Sequence, residues 1–405
     1  MERWELSINL KIFKYILISF LVLFLFQCIP IKNPPEPTGN FNVGTQSFEL
    51  IDQNRLEWFT KDDIKDLRKI MVQAWYPTID VKGEKENYID HGEIRVKALA
   101  EQFDYKPFIF NGLIKVKSNS FSNAKVDNQN GPYPVIIFSH GLGGNRTQNT
   151  IIIEELASHG YVVIAIEHAY DANVSIFNNG NIADYRSGIN YERKSEGENL
   201  TEEEFWSIRL PQLETRVADV RFLIDRLYKN KFPEDILEII DLNHIGILGH
   251  SFGGATSIYS AYSDNRINAC INLDGWMVVV PDKIINNGIV QDFMYIGQDK
   301  WWDELNYKKL DQFIESNQSS SKVLIPGTTH YDFSDMPHLS SAGKILGKTG
   351  KGINMNDFKN ALNELIISFF NKSLKNSQPG INYYDFATKY KISMTVEQFE
   401  GASGK

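Results

Sequence analysis

The chain has 405 residues, 42% hydrophobic, 12% aromatic and 23% charged, a globular composition long enough for one large domain or two ordinary ones. Its net charge of −9 argues against a nucleic-acid partner, which requires a basic stripe to meet the phosphates. The absence of any fixed-period repeat argues against a solenoid or propeller.

At the N-terminus, Lys11 and Lys14 precede an apolar run at 15–26, followed by Gln27 and Cys28. The run suits a signal-peptide core better than a membrane span, which needs about 20 apolar residues. Cys28, ahead of Ile29, Pro30 and a proline-rich stretch to Pro37, resembles a bacterial lipoprotein processing site, although the bulky Gln27 departs from the small residue usual there. Residues 1–28 therefore read as a signal peptide or lipoprotein anchor. That implies export to the cell envelope, either with membrane association through the N-terminus or as a secreted protein. Residues 29–40, rich in proline, asparagine and glycine, read as a flexible tether. Cys28 and Cys270 are the only cysteines, so lipidation or removal of Cys28 leaves no intrachain disulfide. Cys270 lies inside an apolar stretch and reads as a packed, inert thiol.

Strand patterns follow at 47–51 and 71–76, the second stopped by Pro77. Beyond residue 130 come short apolar runs at 134–138, 161–166, 245–248, 267–273, 293–296 and 323–325, as expected of strands covered on both faces. Helical patterns separate them. The clearest has Leu213, Val217, Val220, Ile224 and Leu227 at spacings of three and four, and a last amphipathic helix is expected over about 356–371. This alternation predicts an α/β fold with a mainly parallel sheet and helices on both faces. Residues 41–405 read as one domain, with a polar, then acidic insertion at about 171–211 near the site.

The stretch Gly249-His250-Ser251-Phe252-Gly253-Gly254 stands between a strand and a helix pattern. Glycines around a serine at such a turn let the nucleophile be held in a strained backbone conformation. The hydroxyl needs a base and the base an orienting carboxylate, in the chain order Ser, acid, His. Beyond Ser251 only His330 and His338 qualify as base, and His330 follows a strand end where catalytic groups of open α/β sheets gather. Asp274 and Asp299 both end strands, so topology leaves the acid open; Asp282 and Asp303 lie further away. The oxyanion donors expected are the amides of Phe252 and Leu142, the latter in the glycine-rich loop Ser139-His140-Gly141-Leu142-Gly143-Gly144. His140, His159, His168 and His250 receive structural roles. No metal-binding or nucleotide-binding motif appears, so no cofactor or metal is expected.

Several segments in order resemble the plasma-type platelet-activating factor acetylhydrolases and their bacterial relatives. They are Phe138 to Arg146, Ala157 to Tyr161, Glu167-His168, Gly249 to Gly254, Asn272-Leu273-Asp274-Gly275-Trp276-Met277 and Gly327-Thr328-Thr329-His330. The resemblance covers about residues 40–370. It implies an α/β-hydrolase fold and a calcium-independent, phospholipase A2-like serine esterase acting on the short or oxidised sn-2 acyl ester of platelet-activating-factor-like phospholipids. It also assigns the acid to Asp274, alongside Ser251, His330 and the Leu142 and Phe252 amides. Trp276, Met277 and Phe252 are expected to line the acyl side. The rival readings are a general carboxylesterase or lipase, a dienelactone-hydrolase-like or polyester-cleaving enzyme, and a non-catalytic lipid-anchored binding protein.

Overall fold

The computed structural model describes residues 31–60, 63, 65–186, 201–345, 347–350, 352–377 and 382–400. The expected signal and Cys28 therefore lie outside the described residues. In chain order the strands are β1 (Asn42–Leu56), β2 (Leu67–Thr78), β3 (Lys85–Asn87), β4 (Lys117–Ser122), β5 (Tyr133–Ser139) and β6 (Val162–Glu167). They continue with β7 (Val174–Ile176), β8 (Ile182–Asp184), β9 (Ile240–His250), β10 (Ile267–Leu273), β11 (Asp292–Gln298), β12 (Ser319–Ile325) and β13 (Thr395–Glu400). All but the β7–β8 hairpin join one sheet in the order β13-β12-β11-β10-β9-β5-β6-β2-β1-β4-β3. From β12 to β6 neighbouring strands run parallel, and β13 and β2 close this block with antiparallel pairings.

The apolar runs become strands because both their faces are covered. Along β5, Val135 and Ile137 face one helix layer, and Ile136 and Phe138 face the other, as the two-residue period of a strand requires. The first layer comes from α3 (Glu202–Tyr228) and α4 (Phe252–Ser263), through Leu213, Val220, Ile224, Ala255 and Ile258. The second comes from α2 (Thr150–Ser158) and α6 (Met355–Lys375), through Ile153, Leu156, Leu365, Ile366 and Phe370. Truncating any one of the leucines or isoleucines among these side chains to alanine costs roughly 2–5 kcal/mol. Two smaller helices are named below, α1 (Gly92–Gln102) and α5 (Glu304–Glu315). Cys270 is fully buried in β10, which pushes its thiol pKa up and keeps it protonated.

Two expectations are refined, and one strand is new. The segment read as a flexible tether is pinned along 31–40. Lys32 N–H donates to the Leu339 carbonyl, Asn33 Oδ1 accepts from Lys117 N–H, and Thr38 N–H and Gly39 N–H donate to Glu155 Oε2 and Ser158 Oγ. Composition alone does not separate a loose segment from an extended one held by partners distant in sequence. Within the expected insertion, 171–186 carries the β7–β8 hairpin, 187–200 lies outside the described residues, and α3 already begins at Glu202. The helix runs through Pro211, and it starts at a capping box in which Thr201 and Glu204 exchange backbone and side-chain bonds. Finally, β13 adds an antiparallel edge that the sequence did not announce.

The parallel strands end together. Ser139 lies beside Gly249, His250 beside Leu273, and Gln298 beside Ile325. The loops leaving β5, β9, β10, β11 and β12 therefore meet at one sheet edge, where ligands of open α/β sheets bind.

Candidate active site

At the end of β9, Ser251 has φ 59° and ψ −121°, a conformation disfavoured for any residue with a Cβ. The surrounding chain enforces it. A Cβ on Gly249 would lie 2.1 Å from the Gly253 carbonyl oxygen, and one on Gly253 would lie 2.0 Å from that of Ser139. Only glycine lets α4 start this close beneath the turn. Ser251 N–H donates to the Leu273 carbonyl (3.0 Å), and the Ser251 carbonyl accepts from Gly254 N–H and Trp276 N–H (2.9 and 3.1 Å). The serine is thus sewn to the end of β10.

His330 reaches it from the loop after β12, through Gly327 at φ 83°. Its Nε2 lies 2.9 Å from Ser251 Oγ, and its Nδ1 lies 2.6 Å from Asp274 Oδ2. Asp274 is fully buried and also takes a left-handed backbone, φ 43°. Its carboxylate accepts from Gln298 N–H (2.9 Å), Gln298 Nε2 (2.8 Å) and Trp301 Nε1 (3.2 Å). Burying a carboxylate is costly unless it is this fully bonded. Asp299 has no such bond to His330; the residue before it, Gln298, meets the Asp274 carboxylate instead. Asp303 caps α5 through Leu305 N–H, and Asp282 pairs with Lys309.

A second Ser–His–Asp chain exists deeper in the molecule. Ser139 Oγ lies 3.0 Å from His168 Nε2, and His168 Nδ1 lies 2.9 Å from Asp219 Oδ2. All three residues are fully buried, and Asp219 is also bonded to Arg68 and Arg55. Burial pushes His168 down to about 4, so its ring is neutral at pH 7. With no solvent-accessible surface, this chain holds the core together and cannot meet a substrate.

The loop after β5 passes directly over Ser251, since a Cβ on Gly141 would sit 3.1 Å from Ser251 Cβ. Among the described residues, no protein acceptor meets the amide N–H of Leu142 or Phe252. Two N–H groups left open beside a serine suit an oxyanion. The loop is braced from below by Arg216 of α3, fully buried, which donates to the His140 carbonyl (2.6 Å) and pairs with Asp171 (2.5 Å). Its guanidinium also lies 4.9 Å from the centre of the Phe252 ring. His140 Nε2 accepts from His168 N–H (3.1 Å), and burial with the Arg216 charge holds its pKa well below the usual value. Arg216→Met leaves the buried Asp171 carboxylate with its cation gone, and removal of one partner of such a pair costs about 3–5 kcal/mol. Urea denaturation of this variant is expected to show that loss; a change below about 1 kcal/mol would contradict the role given to Arg216.

Trp276 is half-buried beside the serine, packed edge-on against Phe205 (5.9 Å) and near Phe252 (6.2 Å), with Arg209 above its ring (5.3 Å). Phe205 and Arg209 belong to the first turns of α3, which thus packs beside Trp276. Met277 is a correction. It is fully buried in the core with its amide bonded to Asn306, because the chain turns inward in a 3₁₀ turn directly after Trp276. Phe252 is equally buried, so Trp276 is the one of the three with surface to offer a substrate.

The family model for platelet-activating factor acetylhydrolase, isoform II, matches residues 30–383. The chain belongs to that family. The platelet-activating factor acetylhydrolase of Gallus gallus is 29% identical over 264 residues, 60% of this chain and 62% of that protein. That of Bos taurus is 32% identical over 266 residues, 60% and 57% of the two chains. The chain thus spans about three fifths of the length of these curated relatives. A probable 1-alkyl-2-acetylglycerophosphocholine esterase of Arthroderma benhamiae is 26% identical over 343 residues, 78% of this chain and 80% of that one. A solved ferulic acid esterase from Streptomyces cinnamoneus superposes with a TM-score of 0.70 at 21% identity, covering 91% of this chain and 99% of its own. That likeness establishes the α/β-hydrolase fold.

For this member of the acetylhydrolase family, sequence reasoning named the residues around the serine but missed their supports. Gln298 and Trp301 escaped notice because neither residue type titrates or appears in a motif. Arg216 sits in a helix pattern, where a charge reads as an exposed face. The signal that could have found it is its position within the buried stripe, next to Val217 and three residues after Leu213.

Proposed function

We propose that this protein is a serine esterase that hydrolyses the short or oxidised sn-2 acyl ester of platelet-activating-factor-like phospholipids. The observation that carries the reading is the chain from Ser251 through His330 to Asp274, at 2.9 and 2.6 Å, on a strained serine beside two open amides. In the mechanism, His330 Nε2 takes the hydroxyl proton as Ser251 Oγ bonds to the ester carbonyl carbon. The Leu142 and Phe252 amides bind the oxyanion. Collapse breaks the ester C–O bond, and His330 passes its proton to the departing lysolipid oxygen. Water, deprotonated by His330, then releases the acid and restores Ser251. Asp274 holds the ring in the tautomer that presents a lone pair to the serine. Trp276, packed against Phe205 and Phe252, bounds the acyl side. Family membership and the relatives named for acetylhydrolase activity support the substrate class. The pattern at 11–30 supports export, with Cys28 as the point of attachment to the membrane; mass spectrometry of the mature N-terminus tests this.

The test is hydrolysis of phosphocholines graded by sn-2 chain length, from acetyl to palmitoyl, beside soluble p-nitrophenyl esters, with and without EDTA. The expected outcome is a fall in kcat/KM of at least about tenfold between the two ends of the series, the scale of a few methylenes in a pocket. Chelation is expected to change nothing. Turnover of p-nitrophenyl esters with no hydrolysis of any phospholipid would shift the reading to a general carboxylesterase.

A further inference from the structure

A line of hydrogen bonds links Gly141 to His330 through Gln148 and His250. Gly141 N–H donates to Gln148 Oε1 (2.9 Å), Gln148 Nε2 contacts His250 Nδ1 (2.9 Å), and His250 Nε2 contacts the His330 carbonyl oxygen (3.1 Å). These four residues lie on the three loops that carry the Leu142 amide, the nucleophile and the base. The His250 ring is buried and stacks on the His330 ring at 4.6 Å with 31° between planes. The Gln148 carbonyl also accepts from Asp335 N–H (3.1 Å), which ties the same residue to the segment following His330.

The chemistry of the groups gives this line one direction. The Gly141 amide donates, so the carboxamide oxygen of Gln148 faces it and the amide nitrogen faces His250. The His250 Nδ1 must then accept, which puts the ring proton on Nε2, and that N–H donates to the His330 carbonyl. A proton on Nδ1 would set two donors against each other. Burial acts the same way, holding the ring neutral with its pKa well below the usual value.

We propose that Gln148 and His250 are positioning residues that set the oxyanion loop and the base against each other through this single hydrogen-bond chain. Neither touches the substrate. The proposal rests on the roles given above to Ser251, His330 and the Leu142 amide. Its consequence is that the distance between the oxyanion donor and the general base is fixed by the residue next to the nucleophile, and the three loops lose their alignment together.

Two measurements test it. In the intact wild-type protein, 15N NMR of labelled histidine at pH 7 is expected to show His250 as the neutral Nε2–H tautomer; an Nδ1–H or charged ring would overturn the chain. For function, Gln148→Met and His250→Phe keep the shapes and remove the bonds. Each is expected to lower kcat for p-nitrophenyl acetate about 10- to 100-fold, as a displacement of about 1 Å costs, with KM changed less than about threefold. The double variant is expected to lose no more than the worse single variant, because one broken link already releases the chain. Kcat within twofold of wild type in both single variants, or strictly multiplicative losses in the double, would overturn the proposal. Ser251→Ala, assayed alongside, separates the two failures. Wild-type turnover in that variant would remove the underlying esterase reading, whereas its inactivity beside a fully active His250→Phe would remove the positioning chain alone.

Discussion

Ser251→Ala is expected to lower kcat for ester hydrolysis by about 10⁴- to 10⁶-fold, the range seen when a nucleophile working as part of a triad is removed. Alanine tolerates the φ of 59° no worse than serine does, and the backbone bonds to Leu273, Gly254 and Trp276 do not involve the side chain. The fold should therefore persist, with a melting temperature near that of the wild type. Residual turnover above the rate in water is expected from the open Leu142 and Phe252 amides, which still stabilise an oxyanion. A fluorophosphonate probe is the sharper readout, because it forms a covalent bond to the activated hydroxyl. Labelling of the variant at the wild-type rate would falsify the assignment of Ser251.

Asp274→Asn is expected to cost about 10⁴-fold in kcat through the tautomer of His330. The wild-type carboxylate accepts from the imidazole and from two Gln298 groups and Trp301 at once. An amide in its place offers one acceptor atom and one NH₂. If the NH₂ faces His330, the ring must move its proton to Nε2, where it blocks deprotonation of Ser251. If it faces Gln298, two donors collide in a site without solvent. Either orientation also destabilises the fold by roughly 1–3 kcal/mol for the unsatisfied buried groups. Asp299→Asn is the matched control and should leave turnover near wild type. Equal losses in the two variants would show that the carboxylate at 2.6 Å from His330 is not the one that matters.

The comparison between Asp274 and Asp299 also shows where sequence reasoning ends. Both residues follow strand ends, and β10 and β11 lie side by side with Leu273 opposite Ile296, so the chain delivers both carboxylates to one neighbourhood. What selects Asp274 is a left-handed backbone, φ 43°, that turns its side chain under His330. Order of residues carries no trace of that angle; family resemblance supplied the choice. The parallel strands, by contrast, were legible because a strand covered on both faces has no polar alternation to blur it. The serine turn was legible because its glycines are steric necessities, with carbonyl oxygens about 2 Å from where a Cβ would stand. β13 was not legible, because its partner β12 lies about 70 residues earlier and its own sequence, Thr395 to Glu400, is mostly charged or polar, with only Val396 and Phe399 apolar. Met277 was misplaced for a related reason. Adjacency to Trp276 suggests a shared surface, but a 3₁₀ turn sends neighbouring side chains in different directions.

The pinned segment at 31–40 bears on mechanics as well as on fold. Ile31 is packed at the cluster of Tyr88, Val96, Val116 and Leu339, and Lys32 is bonded to the Leu339 carbonyl, nine positions along the chain from His330. Three peptide units separate Ile31 from Cys28, a leash of about 10 Å at full extension. A freely hinged tether of a dozen residues would let the body swing through a wide hemisphere above its point of attachment. A leash this short removes the swing. Under the attachment at Cys28 proposed above, a lipid there would hold the body at a nearly fixed height over the surface that carries it.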